Sequence, residues 1–239
     1  MTAFMSLVGE DLDSMLRSLT VWMWLAISGV GGFSLVIFAG TFDQENTSFL
    51  LGWFLLVYVA LGSFMVMTIS SSSGGYDSQT LGTSIFSHGV TPIHYVLALL
   101  TSRTLTVLGM SLMIIAPVGF AMMGNGASND LETSGILIAL AYTVLLFTVL
   151  VFLSVTFSTV VTNTPGSLGM IYIFWYTAIT LLLAFQANGF SPVGVLGRVP
   201  ALLQGEFDWA LHWPILAAML LPLTVLPPMG IRMFGQRDL

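Results

Sequence analysis

The chain has 239 residues, of which 56% are hydrophobic and 7% charged, where an ordinary soluble domain carries ~25% charge. Its ionised side chains are eleven acids and five arginines, net −6, with no lysine and no cysteine, and its mean hydropathy is +0.96. So few charges cannot cover a soluble surface, which excludes a soluble enzyme, a disordered tail and a disulfide scaffold, and leaves an integral membrane protein.

The first segment, Met1 to Leu19, carries Glu10, Asp11, Asp13 and Arg17. Phe4, Leu7, Val8, Leu12, Met15 and Leu16 recur among them at helical spacing. A secretory leader begins with positive charge, so this reads as an amphipathic helix lying on the membrane surface. A first span follows at Val21–Phe38, with Gly29, Gly31 and Gly32 permitting close helix packing. Polar residues from Thr41 to Thr47 break the chain before a second span at Phe49–Ile69. Ser70–Gly75 is the least apolar stretch, and residues 76–93 are too polar to span. The third span, Tyr95–Met122, holds Arg103 about two turns from its start, at ~3.6 residues per turn. A polar loop at Gly124–Thr133 leads to a fourth span, Ile136–Thr159, and Asn163–Gly166 to a fifth, Leu168–Phe185. The mixed segment Gln186–Trp213 precedes a sixth span at Pro214–Met229. A span takes ~20 apolar residues, so six account for the apolar share of the chain. The expected fold is all-α, one membrane domain over residues 1–239.

Basic residues stay cytoplasmic. With six spans both termini share a side, and cytoplasmic termini put Arg17, Arg103, Arg232 and Arg237 inside with Arg198 outside. The Asp43 loop, the Asp130 loop and residues 186–213 are then external, and residues 76–93 and the Asn163 loop cytoplasmic.

Several chemistries are absent. A phosphate-binding P-loop requires a lysine, and thiolate metal or redox chemistry requires cysteine. Neither Gly-x-Ser-x-Gly nor His-Glu-x-x-His occurs. The acidic balance argues against nucleic acid. The Met65/Met67, Met110/Met113 and Met122/Met123 pairs read as flexible filler of apolar packing, and His88, His94 and His212 as polar caps near an interface. No catalytic residue, metal site or cofactor is assigned. Arg103 either snorkels or pairs with a cytoplasmic acid, or serves a conduit or dimer interface. Val193–Phe207 reads as a short external or re-entrant amphipathic helix, either closing an outer gate or resting on the interface.

The segment between spans two and three reads Ile69, four serines, Gly74, Gly75, Tyr76, Asp77, Ser78, Gln79, Thr80 and Leu81, then Ser87 to Ile93 and His94-Tyr95. This resembles the signature of ABC-2 type transporter permeases: an acidic stretch ending in Gly-Thr-Leu, a short amphipathic helix, a Ser-Thr-Pro-like turn and a Tyr-x-Leu-Gly-Lys-like entry to span three. The start from Gly9 to Ser18 resembles that family's elbow helix. Leu153–Ser158 resembles the end of its fourth span, Ser191-Pro192 its Ser-Pro before the sixth, and Phe234 to Leu239 its Phe-x-x-Arg-Asp-Leu tail. Gln79, Gly89 and Ala98 depart from it, standing where Gly, Pro and Lys are usual.

The resemblance implies the membrane half of an exporter in the plasma membrane. Two permease copies, identical or paralogous, pair with two copies of a separate ATPase that holds the ATP and magnesium. The loop supplies a coupling helix, about Asp77–Ser87, seated in the ATPase, with Asp77, Thr80, Leu81, Ile85 and Phe86 as its contacts. Spans one, two and five line the substrate path, and Gly29, Gly31, Gly32 and Arg103 are the candidates for path or dimer interface. The competing readings are a self-contained secondary transporter or channel, and a non-transporting membrane assembly subunit.

Overall fold

A computed structural model describes residues 2–41, 46–87, 91–125, 130–161, 164–184, 194 and 197–235, with only the backbone given for 72–87. Asp43–Glu45, His88, Gly89, Asn129, Ser191-Pro192 and the tail from Gln236 lie outside the described residues. Among those described the regular secondary structure is all helical: α1 Thr2–Arg17, α2 Leu19–Thr41, α3 Thr47–Ser87, α4 Pro92–Asn125, α5 Thr133–Val160, α6 Thr164–Ala184, α7 Val199–Leu203 and α8 Trp209–Gly235. Five stretches are long and apolar enough to cross a membrane: Leu19–Thr41, Thr47–Ser71, Ile93–Gly124, Thr133–Thr159 and His212–Met233. They contain five of the six expected spans; the remaining one, Leu168–Phe185, falls largely in α6.

The hydrocarbon interior offers no water to backbone groups, so helices are the form these apolar runs must take. Several hydroxyls within them return their donors to the same helix. Thr68 Oγ1 donates to the carbonyl of Phe64 at 2.9 Å, Thr143 to Ala139 at 2.9 Å and Thr148 to Val144 at 2.7 Å. Such back-bonding keeps a polar side chain in an apolar helix without an unmet donor.

It also bears on a difference from the sequence reading. The chain does not leave the helix at Ser70: α3 runs unbroken through the serines and both glycines to Ser87. Ser71 Oγ donates to the carbonyl of Thr68 at 3.1 Å, and Gly74 and Gly75 cost a helix only ~1 kcal/mol each relative to alanine. The segment 76–87, expected to form its own short helix, is therefore the continuation of span two.

α5 is the central helix. It packs against α3, α4, α6, α7 and α8, and 61% of its span is buried, against 17% for α2 and 11% for α8. α2 and α8 therefore leave wide faces for lipid, such as Trp22, Ile27, Val30 and Phe33 on α2. α1 lies against α4 and α2, and α6 touches α3 and α5. An aromatic cluster joins α2, α3 and α5: Trp24 stacks on Tyr58 at 5.6 Å and meets Phe147 edge-on at 5.6 Å, a geometry that the ring quadrupoles favour. Gly62 makes room for it, since a Cβ there would lie 2.5 Å from Phe147 and 2.9 Å from Trp24.

Candidate functional site

The two ends of the bundle are built differently. At one end Asp130 Oδ2 accepts from the Ser48 amide at 3.0 Å and from its hydroxyl at 2.8 Å, and Gln204 Nε2 donates to the same hydroxyl at 2.7 Å. Asp130 thereby satisfies an open amide in the first turn of α3. The Glu132 amide donates to the Leu203 carbonyl at 2.9 Å, and Gly205, at φ +80°, turns the chain beside the Glu132 carboxylate. Pro200 lies over Gly52, close enough that a Cβ there would be 3.0 Å from it. Val199, Leu202 and Leu203 are buried. The short helix α7, within Val193–Phe207, is thus packed between α3 and α5. Beside it Tyr142 Oη and His212 Nδ1 are 2.8 Å apart, and the Phe207 ring stacks on the imidazole at 4.4 Å.

At the other end, about 33 Å further along α3 at ~1.5 Å per residue, Arg103 is 1% exposed. Its Nε lies 3.6 Å from Asp11 Oδ2 of α1, and its Nη1 donates to the Ser70 carbonyl of α3. The Ser102 hydroxyl donates to the same Asp11 oxygen. Arg103 thus pairs with an acid, one of the readings the sequence left open for it. Asp11 is the functional neighbour that sequence reasoning did not join to it. A signal was there: Asp11 stands four residues from both Leu7 and Met15, in line with the apolar stripe of α1 and off its polar face.

Between these ends a cleft of about 230 Å³ opens on the side of the bundle, walled by α3, α5 and α6. Ser63, Phe64 and Met67 form one wall and Tyr172, Trp175 and Tyr176 the other. Phe64 stacks on Tyr172 at 5.7 Å, and Tyr176 is 62% exposed. A shallow groove on α6 itself, along Thr177 and Thr180, shares Tyr172 and Tyr176 with it. No charged side chain is among its lining residues, so it suits an apolar or aromatic body with at most a few hydroxyl contacts.

The glycine cluster of α2 does bring helices together, within the subunit. Gly32 is buried, and a Cβ there would strike Val118 of α4 and lie 3.4 Å from Phe54 of α3. The corresponding positions at Gly29 and Gly31 would lie 3.9 Å from Ile114 and from Phe54. Asp77, Thr80, Leu81, Ile85 and Phe86 all fall on the α3 extension, where Asp77, Leu81 and Ile85 occupy successive turns; their side chains lie outside the described residues.

Compared with protein-family models and with curated proteins, the chain finds no match.

Proposed function

We propose that this chain is the membrane-spanning permease subunit of an ABC-2 type exporter, driven by a separate ATP-hydrolysing subunit. The observation that carries the reading is the ordered set of family-like segments from the elbow-like start to the Phe234–Leu239 tail. On this reading α6 is the fifth of six spans and both termini are cytoplasmic, as the four-to-one arginine distribution favours. The α3 extension, Ser72–Ser87, then emerges into the cytoplasm with Asp77, Thr80, Leu81, Ile85 and Phe86 as its ATPase contacts. A continuous helix supports this role, because it passes displacement at its tip directly into span two.

The α3–α6 cleft is the candidate substrate path, since it lies between the second and fifth spans of this topology. Its lining favours cargo with a bulky apolar part. The exposed face of α2, with Gly31 on it, is the candidate surface for a second permease copy.

The test is to tag the chain, extract it gently from its native membrane and identify what accompanies it. The expected result is a near-stoichiometric nucleotide-binding ATPase that is lost when residues 77–86 are altered. One observation favours a second reading, a self-contained ion-coupled carrier: Asp11 and Arg103 form a buried pair of the kind such carriers use. Full transport in liposomes without ATP would select that reading and remove the first.

A further inference from the structure

The contacts of Arg103 with Asp11 and Ser70 join three helices. Asp11 belongs to α1, Ser102 and Arg103 to α4, and Ser70 to α3. Ser70 is the residue beside Ser71, where the apolar part of α3 ends and its extension begins. Arg103 is enclosed, and its Nε and Nη2 have no hydrogen-bond partner among the described residues. Its charge is therefore compensated by Asp11 and by one carbonyl dipole. A buried guanidinium that loses such a partner is left with an uncompensated charge, which is strongly unfavourable. Parting α1 from α4 would leave it so, and moving α3 by the length of a hydrogen bond would strip the Ser70 contact. The arrangement resists both movements.

An amphipathic helix held by its apolar stripe alone has no need of an acid within that stripe. Leu7 and Met15 flank Asp11 one turn away on either side, and Met15 is buried. The acid sits where a leucine would suffice for packing, opposite an arginine on the facing helix. We propose that Arg103 is a positioning residue which clasps α1 to the root of the α3 extension, making α1, α4 and that extension one rigid unit. Displacement of the extension is then shared with α4 and α1 and is not absorbed by bending at Ser70–Gly75. This transmitting role rests on the permease reading; the clasp itself does not.

The test uses the full chain in lipid nanodiscs, with Asp11→Asn, Arg103→Gln, the double variant and Arg103→Lys. Amide hydrogen exchange of Thr2–Arg17 is followed by mass spectrometry. The expected result is exchange at least tenfold faster in each neutralising single variant, no faster in the double variant than in Arg103→Gln, and near the parent rate in Arg103→Lys. Unchanged protection in both Asp11→Asn and Arg103→Gln overturns the clasp. Should Arg103→Gln fail to assemble, Asp11→Asn carries the same comparison. The second arm uses the complex with its ATPase and measures transport per ATP hydrolysed. A tenfold or greater fall, with ATPase binding retained, supports transmission. A loosened α1 with transport per ATP unchanged overturns it and leaves α1 as a membrane anchor only. If no ATPase accompanies the parent chain, the permease reading fails, and the exchange result alone decides the clasp.

Discussion

Asp11 and Arg103 meet as an ion pair, Oδ2 to Nε 3.6 Å apart, between the amphipathic first helix and the third span. The arginine side chain is fully enclosed and the aspartate 12% exposed. The Ser102 hydroxyl donates to the same carboxylate. Ser102→Ala removes that bond and keeps the ion pair, so it should cost about 1.5–3 kcal/mol, the range for a hydrogen bond to a charged group. Thermal unfolding in detergent at fixed lipid content is the measurement, and a change within error would show that Asp11 does not depend on Ser102.

The aromatic cluster makes a sharper stability prediction. Gly62→Ala places a methyl 2.5 Å from Phe147 and 2.9 Å from Trp24, so it should destabilise by ~1–3 kcal/mol through overpacking. Gly109→Ala and Gly169→Ala meet nothing within 4 Å and should gain up to ~1 kcal/mol from helix propensity. Melting temperatures of the three variants, compared side by side, separate the packing effect from propensity.

Seating of α7 rests on a turn and a polar contact. Gly205 has φ +80°, a conformation that costs an L-residue about 1–2 kcal/mol. Gln204 reaches Ser48 at 2.7 Å. Gly205→Ala and Gln204→Ala should therefore release residues 197–208 to limited proteolysis while the α3–α5 contact persists. Equal cleavage rates in parent and variants would contradict a docked α7.

In the cleft, Tyr176 is 62% exposed, and Trp175 beside it on the same helix also lines the cleft. Tyr176→Ala removes little intramolecular packing and should shift stability within ~0.5 kcal/mol. On the permease reading it should still lower transport several-fold. Transport at the parent rate, with substrate competition unchanged, would argue against the cleft as the path.

The α3 extension offers a contrast at one residue. Gly75→Pro interrupts the helix at a cost of ~3 kcal/mol, whereas Gly75→Ala strengthens it. On the permease reading, the expected outcome is that the proline variant still inserts in the membrane but no longer retains an ATPase, and that the alanine variant retains it. Retention in both would mean that continuity of α3 past the membrane is dispensable for docking.

Much of this architecture is legible in the sequence because apolar runs of span length are an unambiguous signal. The expected span Ile136–Thr159 and the observed Thr133–Thr159 differ only at their start. Polar composition misled the reading at Ser70–Gly75, where it suggested a break. Serines can return their hydrogen bonds to the preceding turn, so a polar run on a helix need not end it. The partner of Arg103 was hidden for a different reason. Asp11 and Arg103 are far apart in sequence, and periodicity describes one helix at a time. The out-of-place acid in the stripe of α1 marks that something polar faces it, but which residue does so is decided by how α1 folds back on α4. The α3–α6 cleft is likewise a property of helix packing, and no single segment predicts it.

The unbroken course of α3 has a mechanical consequence. Sixteen residues follow Ser71, which at ~1.5 Å each extend about 24 Å beyond the apolar part of the helix. A rigid tilt of α3 by about 10° carries Ser87 sideways by about 4 Å relative to Ser70. The same ratio runs in reverse: each ångström of travel imposed at the far tip becomes a rotation of about 2.4° at Ser70. The long arm trades distance for torque, so a modest push at Ser87 is delivered to the apolar part of the helix with mechanical advantage.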